Sequence, residues 1–124
     1  NSLLDFSPHS KSHEFDTAVL KINGVDRFLA RDPLYFRAVQ PINHHTSAPL
    51  DKYIYCYSFC INPEDYQPSG SCNFSCLDNA ALQLTYTDAT VAAMGNDKYR
   101  IKIFAINYNV LRIMSGMCGL AYSN

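Results

Sequence analysis

Apolar residues in this chain recur at every second position and show almost no helical spacing. In TAVLKI, residues 17–22, Ala18, Leu20 and Ile22 alternate with Thr17, Val19 and Lys21. In KYIYCYSFCI, residues 52–61, Tyr53, Tyr55, Tyr57, Phe59 and Ile61 alternate with the smaller set Ile54, Cys56, Ser58 and Cys60. In NAALQLTYTD, residues 79–88, Leu82, Leu84 and Tyr86 alternate with Gln83, Thr85 and Thr87. Successive side chains of a strand leave opposite faces, so a period of two gives each segment one buried face. Nine tyrosines and seven phenylalanines suit that pleated surface. The pattern predicts an all-β protein, an antiparallel β-sandwich or barrel.

Turn chemistry separates these segments. Asn23-Gly24 supplies the positive φ values of a type I′ turn, so a hairpin is expected after residue 22. Asp32 before Pro33 predicts one helical turn through Val39, ended by Pro41, with loop to residue 49. Residues 52–61 form the clearest predicted strand, stopped by Pro63. Residues 89–98 read as a connector with a short helical turn, and Gly95-Asn96-Asp97 as turn chemistry. Residues 100–108 are strand-like. Residues 110–114 either continue that strand past a bulge or pair back as a new one, and residues 117–124 form a tail lying along a neighbouring surface. Residues 1–16 read as loop, with one short strand near Leu3 to Phe6. Four to six strands result, fewer than a complete eight-stranded jelly roll needs, so an incomplete sandwich is expected.

The 124 residues suffice for one domain with a modest core. A net charge of −1 gives no footprint for binding nucleic acid through phosphates. No apolar run has the length of a membrane span. The chain starts at Asn1, without the basic and apolar regions of a signal peptide, so a processed or partial N-terminus is expected. Five cysteines, Cys56, Cys60, Cys72, Cys76 and Cys118, cannot all pair within one chain. They are expected as small hydrophobes in a reducing compartment.

Catalytic and metal chemistry finds little support. Cys56 and Cys60, like Cys72 and Cys76, have three residues between them rather than the two of zinc knuckles. Residues four apart on a strand are also separated by roughly 13 Å. His44 and His45 are adjacent, whereas a cupin-type site needs His-x-His to bring two rings off one strand face. Both are expected to be solvated loop residues, as are His9 and His13. No Gly-x-Ser-x-Gly elbow or glycine-rich phosphate loop is present. Glu64 and Asp65 are neighbours whose carboxylates diverge. Asn73-Phe74-Ser75 is a glycosylation sequon, with a local turn as the competing reading of Asn73 and Ser75. No cofactor is expected.

The most specific signal is a series of longer stretches. NPEDYQPSGSCNFS at 62–75, LDNAALQL at 77–84 and INYNVLRIMSGMCGLAYSN at 106–124 closely resemble the C-terminal part of the major capsid proteins of nucleocytoplasmic large DNA viruses, of the phycodnavirus, mimivirus and iridovirus type. LKINGVDRF at 20–28 and YFRAVQPINHH at 35–45 resemble that family's preceding segments, in the same order. The resemblance spans residues 17–124. It implies a double jelly-roll protein of several hundred residues, of which residues 1–124 are the later strands of the second jelly roll. It also implies a structural, non-enzymatic role. It further implies that three copies form a trimeric capsomer, that capsomers tile an icosahedral shell with minor capsid and penton proteins over an internal membrane, and that assembly occurs in the host cytoplasm. Two positions depart from the family pattern: Cys76 replaces a common Arg, and Cys118 replaces a Gly where backbone freedom is needed.

The stretch at 62–75 is stiff and polar. Pro63 and Pro68 fix φ and remove two amide donors. Ser69, Gly70 and Ser71 turn the chain, and Asp65, Ser69 and Asn73 can satisfy nearby backbone groups. A pre-ordered loop loses less entropy on assembly. Pro63, Glu64, Asp65, Tyr66, Gln67, Pro68, Ser69 and Gly70 are therefore the candidate interaction loop, against the alternative that they only cross between sheets. Two other functions compete: a lectin-like jelly roll using Tyr35, Tyr66 and nearby Asn or Asp to hold sugars, and a cupin-type metal enzyme.

Overall fold

The computed structural model describes residues 15–49, 53–88, 91–92 and 101–122. The readings of residues 3–6, of His9 and His13, and of Gly95-Asn96-Asp97 lie outside these residues. In chain order the strands are β1 (Thr17–Ile22), β2 (Val25–Asp26), β3 (Ala80–Thr85), β4 (Leu111–Met114) and β5 (Met117–Leu120). All pairings are antiparallel, in a three-stranded sheet ordered β2-β1-β3 and a two-stranded β4-β5 sheet.

β1 occupies the centre of the larger sheet, and its register follows its alternation. Ala18 pairs with Leu84, Leu20 with Leu82 and Ile22 with Ala80, so one face is apolar throughout. The opposite face carries Thr17 with Thr85, Val19 with Gln83 and Lys21 with Ala81. A slip of one residue would oppose apolar to polar side chains along the strand. Asn23 (φ 51°) and Gly24 (φ 79°) form the expected tight turn into β2. Beyond that hairpin the chain returns to β1, where Ala18 and Arg31 exchange backbone hydrogen bonds of 2.9 and 3.1 Å.

The helical region is longer than its proline predicts. Asp32 caps its start, its Oδ1 accepting the Tyr35 N–H at 2.9 Å. A π-helical turn, Tyr35–Val39, then runs into α1 (Gln40–His44), so Pro41 does not end the helix. The Gln40 N–H reaches back five residues to the Tyr35 carbonyl. A proline has no N–H and its ring crowds the carbonyl four residues before it, and a widened turn relieves that conflict.

The core is aromatic. Phe36 and Ala18 are buried. Phe28 packs against Phe36 (5.6 Å between centroids) and Tyr57 (5.0 Å), Tyr57 against Phe59 (5.0 Å), and Phe59 against Phe74 (5.5 Å). Gln40 is buried with both ends satisfied: Nε2 donates to Tyr35 Oη at 2.8 Å, and Oε1 accepts the Ser58 N–H at 3.2 Å. That matters because an unpaired buried amide costs about 1–3 kcal/mol.

Three strand expectations are corrected. Residues 53–58 carry no strand ladder, because the Cys56 and Ser58 amides are taken by Phe36 O and Gln40 Oε1 of the helical region. Tyr57 and Phe59, two residues apart, still lie together in the aromatic stack. Residues 101–108 are exposed and without ladder. The chain after residue 116 is not a trailing tail but β5, folded back on β4 with Leu111 opposite Leu120 and Ile113 opposite Cys118. Ser115 (φ 51°) and Gly116 (φ 77°) make that turn. Cys118 sits in regular pairing, and the left-handed backbone of this hairpin belongs to residues 115 and 116. The expected helical turn after residue 87 is present in part, the Val91 N–H donating to Thr87 O at 2.9 Å.

Candidate interaction loop

The loop at 61–70 is fastened at both limbs. At its base, Ser69 Oγ accepts the Asn62 N–H at 2.9 Å and donates to Asn62 O at 3.2 Å. One hydroxyl thus acts as both donor and acceptor and closes a seven-residue span. Gly70 follows with φ 135°, its Cα facing Cys60 Cα and Phe59 O so closely that an added Cβ would lie 3.4 Å from each. Asp65 contributes its backbone N–H, to Asn62 O at 3.4 Å. Asn73 Oδ1 accepts the Ser75 N–H at 3.0 Å and caps the 3₁₀ turn Phe74–Cys76, which leads toward β3.

The second limb is held by residues the sequence analysis set aside. His44 Nδ1 is 2.8 Å from Ile61 O, and His45 Nδ1 is 3.1 Å from Glu64 Oε1. The Thr46 N–H donates to the other carboxylate oxygen, Oε2, at 3.2 Å. His44 and His45 are therefore not solvated loop residues; both are half-buried, His44 closing α1. These partners are 17 to 19 residues apart in sequence, which no local pattern discloses. Hydrogen bonds from Thr46, ahead of the His45 imidazole, hold the Glu64 carboxyl below its ordinary pKa. Both favour the charged form. Asn43, Thr46, Asn62 and Asp65 complete a polar cleft around this contact.

Between the fastened limbs the tip is presented to solvent. Tyr66 is fully exposed, and Asp65, Gln67 and Pro68 are exposed beside it, while Pro63 and Ser69 are half-buried. Of the two tyrosines offered for sugar stacking, Tyr35 is committed elsewhere. Its ring packs edge-on against Phe36 at 5.1 Å and its hydroxyl accepts from Gln40. Among the described residues no group of three or more His, Cys, Asp or Glu side chains is placed to hold a metal ion. All five cysteines are unpaired. Cys56 is partly buried with its thiol pKa pushed up by that burial, while Cys76 and Cys118 are exposed.

The antiparallel sheets and few helices are those of an all-β protein, and the match to a viral capsid chain places them in a jelly-roll fold. The solved PBCV-1 virus capsid, a quasi-atomic model, contains a chain of this fold at TM-score 0.64 and 36% identity, over 89% of this chain and 30% of that one. The family model described as large eukaryotic DNA virus major capsid protein matches residues 5–119, and the chain belongs to that family. It is 57% identical over 107 residues to a major capsid protein of Phaeocystis pouchetii virus, covering 86% of this chain and 20% of that protein. It is 46% identical over 125 residues to the major capsid protein of Paramecium bursaria Chlorella virus 1, covering 88% and 28%. Capsid protein 1 of Acanthamoeba polyphaga mimivirus is 43% identical over 111 residues. The chain thus spans between about a fifth and under a third of the length of these relatives.

Proposed function

We propose that this chain is the C-terminal portion of a viral major capsid protein, the later strands of its second jelly roll, and that its role is structural rather than catalytic. The observation that carries this reading is the β4-β5 hairpin. One of its faces consists of Leu111, Ile113, Cys118 and Leu120, and every described residue from 101 to 122 is exposed. A lone two-stranded hairpin is marginal in water, and an apolar face of this kind marks a contact surface. Upstream strands of a longer jelly roll supply the cover, and the strand-patterned segment at 53–58 gains partners from the same source. The complete protein forms homotrimers within an icosahedral virion shell. It meets minor capsid and penton proteins, lies over an internal membrane without spanning it, makes no direct contact with nucleic acid, and assembles in the host cytoplasm.

The loop at 63–70 contributes a contact in that shell, supported by a rigidly held base and an exposed Tyr66 tip. Asn73 lies in an exposed sequon and is a glycosylation acceptor where a transferase meets the protein. Intact-mass comparison with Asn73→Gln tests that point.

Sedimentation velocity tests the main reading. The 124-residue chain alone is expected to aggregate, and restoring the upstream jelly-roll strands is expected to give a soluble trimer. A compact, stable monomer of residues 1–124 would overturn it.

A further inference from the structure

Two consecutive histidines grip the same limb of the loop: His44 the Ile61 carbonyl, and His45 the Glu64 carboxylate. Both acceptors lack a proton, so each Nδ1 must carry one. A neutral imidazole has a single N–H and meets this demand only in one tautomer. A protonated imidazole carries an N–H on both nitrogens and adds a positive charge facing Glu64. Imidazole is also the side chain whose charge ordinarily changes between pH 5 and 8.

We propose that His44 and His45 form a pH-sensitive clasp that holds the 61–64 limb of the loop more tightly as the medium is acidified from pH 8 to pH 6. The clasp is separate from any contact made by the loop tip and stands whether or not the tip meets another subunit.

The surroundings favour this direction. Among the described residues, the titratable groups lining this cleft are the two histidines, Glu64 and Asp65, beside neutral Asn43, Thr46 and Asn62. Two carboxylates therefore offset two imidazolium charges. The histidines also sit at the carbonyl end of α1, His44 as its last residue and His45 as its cap, where positive charge is favourable. The opposite limb, fastened by Ser69 to Asn62, has no titrating group in its bonds and stays closed throughout. The tightening has an acid limit, because protonating Glu64 removes the anion that His45 faces. That limit lies below the usual carboxylate range, since Thr46 and His45 both stabilise the charged form.

Chymotrypsin cleavage after Tyr66, in the soluble protein with its upstream jelly-roll strands restored, reads the clasp. The rate is divided by that of a free peptide of residues 61–70 at the same pH, which removes the protease's own pH dependence. Between pH 8 and pH 6 the normalised rate is expected to fall roughly two- to fivefold, the effect of a partly exposed ion pair. Glu64→Gln and His45→Asn are each expected to abolish most of that change. A second readout is exchange of the Thr46 amide, which donates to Glu64 Oε2: corrected for its intrinsic pH dependence, its protection is expected to rise between pH 8 and pH 6 in the parent and not in Glu64→Gln. A normalised rate that is flat or rises on acidification, or Thr46 protection that changes equally in the parent and in Glu64→Gln, would overturn the clasp.

Discussion

Asn109 bonds to both backbone groups of Tyr122. Its Nδ2 donates to Tyr122 O at 2.8 Å, and its Oδ1 accepts the Tyr122 N–H at 3.1 Å. The same Oδ1 also accepts the N–H of Val110 at 2.8 Å. One carboxamide thus imitates a strand residue and extends the β4-β5 ladder by a rung beyond the Ala121 to Val110 bond. Asn109→Ala is expected to fray the open end of the hairpin by about 1–2 kcal/mol, the net worth of one or two hydrogen bonds. Amide exchange at Tyr122 and Ala121 measures it. Unchanged protection at both sites would show that the ladder holds without the side chain.

Asn23 joins the two ends of the larger sheet in a similar way. It makes the β1-β2 turn with positive φ, and its Oδ1 accepts the amides of Asp78 and Asn79 at 3.0 and 3.2 Å, just before β3. Asn23→Gly keeps the backbone freedom and removes the acceptor, so it separates the two roles. The expected loss is about 1–2 kcal/mol from the two amides left without a partner. Asn23→Asp, which keeps an acceptor, is expected to recover most of it. Equal urea midpoints for the glycine variant and the parent would show that the side chain fixes only the turn.

Particular residues show what the sequence discloses. β1, β3 and the Asn23-Gly24 turn follow from alternation and a dipeptide whose geometry is local. The β4-β5 hairpin was open to the same logic, since Ser115-Gly116 between apolar pairs is a turn signal. Cys118 and Gly119 obscured it by making β5 look like a small-residue tail. The failure at residues 53–58 differs in kind. Alternation predicts that Tyr57 and Phe59 lie on one face, and their rings do pack together. It does not predict which backbone will accept the amides, and here Phe36 and Gln40 do so. Pro41 misled because a π turn absorbs the bond it removes. In the loop, Ser69 and Asn73 act as their chemistry suggests, over short spans. His44, His45 and Thr46 reach Glu64 and Ile61 across a distance in sequence that only the fold closes.

Gly70 is the position in the loop where substitution has the clearest backbone cost. Its φ of 135° lies where a side chain is rarely tolerated, and a new Cβ would press on Cys60 Cα and Phe59 O at 3.4 Å. Gly70→Ala is expected to cost about 1–3 kcal/mol, the range for a residue held in a sparsely populated backbone region. The loss is expected at the loop before the sheet, so cleavage after Tyr66 should quicken while exchange of the β1 amides stays slow. Faster exchange in β1 to the same degree would mean that loop and sheet unfold as one unit.

Glu64 makes the loop's anchorage sensitive to acid as well. Its carboxyl is held below the ordinary value by Thr46 and then His45. A carboxyl depressed on folding adds stability above its unfolded pKa and loses it as pH falls through the folded value. The contribution is therefore present at pH 5–7, above the ordinary glutamate value of about 4.3, and is lost as pH falls from there through the lower folded value. Glu64→Gln has no proton to gain, so the difference in urea midpoint between parent and variant should be largest near pH 6 and shrink toward pH 3. Half-exposed charges are screened, so the imidazole's share of that difference should also fall with added salt, while the share from the Thr46 hydrogen bonds persists. A difference that stays constant from pH 7 to pH 3 would show that the carboxylate's charge plays no part in holding the loop.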